Sequence, residues 1–205
     1  EVIRRDEPHG VSGARNELMT RASGDVLVMI DDDAYFSAND ALKRVERQFD
    51  DGDLGILAFD VHHHAEGEPD RLIPFSRSAL MSDPDLRDQP RRVSYFLGTA
   101  HAIRSDVIDE TNGYDDNMTY AGEELDLSLN SLKLGYEIRY DPEVEVHHEP
   151  EPPVVSETGK HELSELYFTT RSRIILVYRH YPWRYGVVNL LIWLFRLLVR
   201  SLKQG

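Results

Sequence analysis

Apolar and polar positions alternate along this chain in two distinct periods, and the elements they predict come in a regular order. Gly10 to Ala22 carries Leu18, Met19 and Ala22 on one helical face, with Gly24-Asp25 closing it. Val26 to Ile30 (VLVMI) is an unbroken apolar run, as expected for a strand buried on both faces, and it stops at three consecutive aspartates. Asn39 is placed to cap a helix through about Phe49, which Asp51-Gly52 ends. Leu54 to Val61 then reads as another strand. With Val2-Ile3 as a strand fragment, the first 60 residues read β, α, β, α, β. That order predicts a parallel sheet with crossover helices, the α/β class.

Further on the pattern weakens and then returns. Residues 62–92 are polar and rich in His, Asp, Arg and Pro, and read as a loop with one short helix. Val93 to Ile103 is strand-like, Ser105 opens a short helix ending at Asn112-Gly113, and Glu123 to Leu134 repeats leucines at helical spacing before Gly135. YEIRY (136–140) and VEVHH (144–148) read as two strands flanking Asp141-Pro142. A proline-rich linker (149–154) precedes two helices, about 160–181 and 184–202.

Charge divides the chain in the same place. Of 205 residues, those up to Glu165 carry 16 basic and 37 acidic side chains, while residues 166–205 carry seven cations and no carboxylate. The acidic body excludes nucleic acid as a partner, which would need a basic footprint. With no cysteine, any metal must be held by oxygen and imidazole. The opening residues EVIRRDEPHG contain no apolar stretch of the signal-peptide kind, and the chain is expected to begin partway through a longer protein.

The aspartates carry the first candidate chemistry. In extended backbone, side chains two apart point the same way, so Asp31 and Asp33 can converge on one hard cation while Asp32 faces elsewhere. A solvated acidic turn or a helix N-cap cluster would read the same way. Ligands of open parallel sheets bind at the carboxyl ends of strands, where this triplet lies.

Three segments, in order, resemble the inverting family 2 glycosyltransferases with their GT-A fold. GVSGARNELMTRASGDVLVMIDDDA (10–34) resembles that family's Ala-Arg-Asn helix and its strand ending in the metal-binding D-x-D. LGTAHAIRSDVIDETNGYDDNM (97–118) resembles its acceptor-side segment, and GEELDLSLNSLKLGYEIRYDPEVEVHH (122–148) the stretch with the catalytic acid and the final histidine. The resemblance implies a GT-A-like, Rossmann-like, mostly parallel sheet with flanking helices, N-terminally incomplete, plus a C-terminal helical tail. It divides the chain into a catalytic domain (1–150), with a partial nucleotide-binding part (1–60) and an acceptor part (90–150), and a tail (151–205) of linker and basic amphipathic helices.

It also implies roles. Asp31, Asp33 and His148 would hold Mg²⁺ or Mn²⁺ against the donor diphosphate. Glu124 would be the general base, Arg15 and Asp32 would contact the donor, and Gly98, Glu123 and Tyr120 the acceptor. The implied reaction moves a sugar from a nucleotide-sugar donor to a lipid-linked or polymeric glycan, with inversion. A non-catalytic binding module and a nucleotidyltransferase of the same fold remain open. Three departures stand out: Glu124 replaces an aspartate, Asn130 replaces an arginine, and the family's first strand–helix–strand unit is not in this sequence.

The remaining candidates have plain structural readings. His62, His63 and His64 are expected in a surface loop, His101 in the core or near substrate, and Tyr95 and Tyr114 in packing. Val187 to Val199 contains eleven apolar residues. As a helix this run spans about 20 Å, short of the roughly 30 Å hydrocarbon core. With Trp183, Tyr185 and the cations, it predicts an interfacial helix on an anionic membrane surface, peripheral and on the cytoplasmic face.

Overall fold

A computed structural model describes residues 2–4, 10–64, 70–118, 121–150 and 158–204. Helix α1 (Gly10–Arg21) leads into strand β1 (Val26–Ile30), and a tight turn leads to the short β2 (Ala34–Phe36). Helix α2 (Ala41–Gln48) and the long β3 (Leu54–His63) follow. Then come β4 (Asp70–Leu72), α3 (Arg77–Ser82), a 3₁₀ turn (Pro84–Arg87), β5 (Arg91–Arg92), β6 (Ala100–Arg104) and α4 (Ser105–Thr111). The last elements are α5 (Glu123–Leu134), β7 (Glu137–His148), α6 (Thr158–His180) and α7 (Trp183–Gln204).

The seven strands form one sheet in the order β1-β6-β3-β7-β2, with β4 on β3 and β5 on β7. The sheet is mixed, not mostly parallel. Strands β3 and β7 pair in parallel, and every other pair is antiparallel. The crossover reading nevertheless has a true element. Strands β1 and β3 both run against β6, which lies between them, so β1, β3 and β7 share one direction. Their carboxyl ends, at Ile30, His63 and His148, therefore fall on one edge of the sheet.

Alternation along β3 fills both faces. Ile56 and Ala58 pack with Leu27, Ile103, Ile138 and Tyr140 under Met19 of α1, Val107 of α4 and Leu127 of α5. Leu57, Phe59 and Val61 pack on the other face with Val144, Val146, Val45 of α2 and Phe49 just after it. A strand covered on both sides is apolar almost throughout, and the exception in LGILAFDV, buried Asp60, is paired with Arg71.

Several elements differ from the sequence reading. Val2 and Ile3 form no strand. Helix α2 has Asp40 at its N-cap position, one residue after the expected Asn39, and that side chain makes no capping hydrogen bond. The strand expected over 93–103 is confined to Ala100–Arg104. Strands 136–140 and 144–148 are one strand, since Asp141-Pro142 is accommodated as a bulge where the register jumps from Phe59↔Asp141 to Asp60↔Glu145. The polar stretch 62–92 holds two short strands and two short helical pieces, built on its edge pairing with β3 and β7. Most of the linker lies outside the described residues. Among the described residues, no helix is long and apolar enough to cross a membrane.

Candidate active site at the carboxyl edge of the sheet

The aspartate turn is fixed by its backbone. Asp31 N–H donates to Thr99 O (2.9 Å), Ala34 N–H turns back to Asp31 O (3.2 Å), and Glu149 N–H donates to Asp33 O (2.9 Å). These bonds tie the end of β1 to the end of β7. As a result Asp31, Asp33 and His148 each offer one ligand atom, all within 4.8 Å of one another. His148 Nε2 stands 3.1 Å from Asp33 Oδ1. That oxygen is buried and accepts no hydrogen bond from protein. Burial pushes the Asp31 carboxyl above its usual range; Arg15 and His148 oppose the shift and Asp33 adds to it. Two carboxylates and an imidazole so arranged, with one buried oxygen lacking a donor, fit a hard or borderline divalent cation. Asp32 is exposed and is not among the described residues lining the adjacent cleft.

That cleft, about 510 Å³, brings together Arg15, Asp31, Gly98, Glu123 and Glu124. Arg15 is at its centre, buried, with its guanidinium 3.6 Å from Asp31, 3.4 Å from Glu123 and 3.6 Å from Glu124. Its guanidinium carbon also lies 5.4 Å from the ring centre of Tyr114. Tyr114 in turn bonds His101 (2.8 Å), and both are buried. Burial lowers the His101 pKa to about 3, with Arg15 adding to the shift, so this imidazole is a neutral core group. Asn16 pins the neighbouring turn, donating to Tyr114 O (2.8 Å) and accepting from Tyr114 N–H (2.9 Å).

The two glutamates begin α5, after Gly122 at φ 98°, a left-handed conformation suited to glycine. They differ in environment. Glu123 has a side chain only 4% exposed, whereas Glu124 is 23% exposed and faces the cleft. Burial, then the charge of Glu124, raises the Glu123 pKa to about 7. Gly98 closes the cleft floor: a Cβ there would fall 2.1 Å from Glu124 Oε1 and 2.7 Å from Arg15 Nη2.

The family profile for "Glycosyl transferase family 2" matches residues 1–111, more than half of the chain. The chain belongs to glycosyl transferase family 2. It is 29% identical over 156 residues to the pre-mycofactocin glycosyltransferase of Mycobacterium tuberculosis, covering 73% of this chain and 32% of that protein. It is 23% identical over 150 residues to the O-antigen chain rhamnosyltransferase RfbN of Salmonella typhimurium, covering 70% and 47%. The chain thus spans about a third to a half of the curated relatives it matches. Among solved structures it is similar to GalNAc-T7 with UDP, GalNAc and Mn²⁺, at TM-score 0.56 and 19% identity, over 74% of this chain and 32% of that one. It is also similar to the mannosyltransferase PcManGT from Pyrobaculum calidifontis with GDP-Man and Mn²⁺, at 0.52 and 17%, over 86% and 43%. The fold of this family 2 chain is therefore GT-A-like.

Of the residues singled out in sequence, the structure gathers Arg15, Asp31, Asp33, Gly98, Glu123, Glu124 and His148 at one edge, and leaves Asp32 outside; Tyr120 lies outside the described residues. The histidine run is not a loop. His62 and His63 end β3, and His63 Nδ1 lies 2.9 Å from His148 Nδ1. The cleft's far wall, with Arg71, Ile73, Phe75 and Leu80, comes from the stretch read as loop. No residue pattern announced it, because its short elements depend on pairing with strands distant in sequence.

Proposed function

We propose that this chain is the catalytic part of an inverting glycosyltransferase that moves a sugar from a nucleotide-sugar donor to a hydroxyl of a lipid-linked or polymeric glycan. The observation that carries the reading is the meeting of Asp31, Asp33 and His148, within 4.8 Å, beside the cleft containing Glu124. These three residues would hold Mg²⁺ or Mn²⁺ (the two structural neighbours named above contain Mn²⁺ with UDP or GDP-Man). A divalent cation bound there supplies charge neutralisation for the departing nucleoside diphosphate.

Glu124 takes the proton of the acceptor hydroxyl as that oxygen attacks the anomeric carbon from the side opposite the diphosphate. Its carboxylate reaches the cleft from the first turn of α5, and Gly98 leaves room for it. Arg15 holds the carboxylates of Asp31 and Glu124 on either side of one guanidinium, so that the donor end and the base stay in register. Glu123, buried behind them, shapes the acceptor side of the cleft.

The same reading places the protein on the cytoplasmic face of a membrane. Trp183, Tyr185, Val188, Leu191, Leu194 and Phe195 of α7 are exposed apolar side chains on a chain end with seven cations and no carboxylate.

The test is release of nucleoside diphosphate and formation of glycoside by the intact protein with UDP-, GDP- and dTDP-sugars and Mn²⁺. Glu124→Gln should lower kcat by about 10²-fold or more without loss of fold. An axial-to-equatorial or reverse change at the anomeric proton, read by NMR, reports inversion. Pyrophosphate as the product would point to nucleotidyl transfer, and donor binding without turnover to a binding module.

A further inference from the structure

Strands β3 and β7 run parallel with His63 paired to His148 and His62 to His147, so a row of histidines crosses the carboxyl edge of the sheet. It splits into two pairs. His64 Nε2 lies 2.8 Å from His147 Nδ1, and His147 Nε2 turns to Glu145 at 3.1 Å. On the other side His63 Nδ1 lies 2.9 Å from His148 Nδ1, with the rings 4.9 Å apart, while His148 Nε2 is 3.1 Å from Asp33 Oδ1. Of the two, only the second pair has its rings at the cluster of Asp31, Asp33 and His148.

We propose that His63 is a positioning residue that sets which nitrogen of His148 is free to bind a divalent cation. The inference rests on the metal reading above and adds a residue to it. A neutral imidazole has one N–H and one lone pair, and a histidine that ligates a metal through one nitrogen donates from the other to a fixed acceptor. For His148 Nε2 to present a lone pair toward Asp31 and Asp33, its proton must sit on Nδ1, and the acceptor standing there is His63 Nδ1. His63 also fixes the ring plane, which a solvent molecule in its place would not.

The experiment titrates the intact protein with Mn²⁺ alone, reading free Mn²⁺ by electron paramagnetic resonance. His63→Phe should weaken binding by about 10-fold, the usual effect of losing an outer-shell partner. His63→Asn, whose amide oxygen reaches the Nδ1 position, should restore it. His64→Phe, whose side chain pairs with His147 and leaves the backbone bond to His148 O intact, should bind as wild type. ¹⁵N spectra of the wild-type imidazoles with Mg²⁺ bound should show the His148 proton on Nδ1. Wild-type affinity in His63→Phe, alongside lost binding in Asp33→Ala, would overturn this role alone, as would a proton on His148 Nε2 with Mg²⁺ bound. Equal binding by wild type and Asp33→Ala would instead overturn the metal reading beneath it.

Discussion

The chemistry of the cleft turns on spacing that a single methyl group would disturb. A Cβ at residue 98 would meet Glu124 Oε1 at 2.1 Å and both terminal nitrogens of Arg15 within 2.8 Å. The groups it meets are the far ends of flexible side chains, so Gly98→Ala should leave the melting temperature nearly unchanged. It should still lower kcat by about 10²-fold, because the carboxylate proposed as the base is moved by roughly an ångström. Steady-state kinetics beside a thermal melt separates the two effects. Glu123 gives a pH signature. Its folded pKa is about 7 against an ordinary value of 4.5, set by burial, with Glu124 adding and Arg15 opposing. The fold therefore prefers the protonated acid. The associated stability is fully present below about pH 4.5 and is lost as pH rises through 7. Glu123→Gln, which cannot ionise, should melt above wild type at pH 8 and close to it at pH 4. A gap independent of pH would count against that environment.

At the level of elements, helix α6 braces the start of α5. Asp126 is buried beneath it, accepting from His180 Nε2 at 2.7 Å and lying 3.4 Å from Arg179, which also reaches Asp115 at 2.5 Å. Gly122, just before the glutamates, sits where a Cβ would be 3.2 Å from Ser172 of α6. Asp126→Ala would leave His180 and Arg179 without this carboxylate. The expected cost is about 3 kcal/mol in denaturant unfolding, with faster hydrogen exchange in α6; unchanged exchange would mean that α6 is held by other contacts. The elements also show what a sequence can disclose. VLVMIDDD and LGILAFDV announce β1, β3 and the site's edge as apolar runs ended by charge, although only β3 is buried on both faces: β1 is an edge strand in which Leu27 alone is buried. The antiparallel direction of strand β6 between them could not be read, since the direction of pairing leaves no local pattern. His63 was hidden for a related reason. Adjacent histidines on one strand point apart, and its partner His148 is 85 residues away on the neighbouring strand. Glu123 and Glu124 stood out as residues, yet their division into a buried carboxyl and a more exposed, cleft-facing carboxylate comes only from packing.

For the whole molecule, two surfaces of opposite character have to work together. The acidic body holds the cleft, and helices α6 and α7 at the other end of the chain carry the cations and exposed apolar side chains that are proposed to face a membrane. The protein should sediment with vesicles containing phosphatidylglycerol and remain free with neutral phosphatidylcholine. Binding should weaken as salt rises, because the cations contribute on the order of 1 kcal/mol each near an anionic surface. Trp183→Ser with Phe195→Ser should reduce it further at constant charge. Binding indifferent to lipid charge would exclude this role for the tail. Orientation on a lipid surface matters only if the other end does its chemistry, and that returns to the carboxyl edge of the sheet. The most direct test is anomalous diffraction from crystals of this protein soaked in Mn²⁺. The account predicts one strong peak within coordination distance of a carboxylate oxygen of Asp31, a carboxylate oxygen of Asp33 and His148 Nε2, abolished in Asp33→Ala. No peak there at saturating Mn²⁺, or a peak bound by other residues, would contradict it.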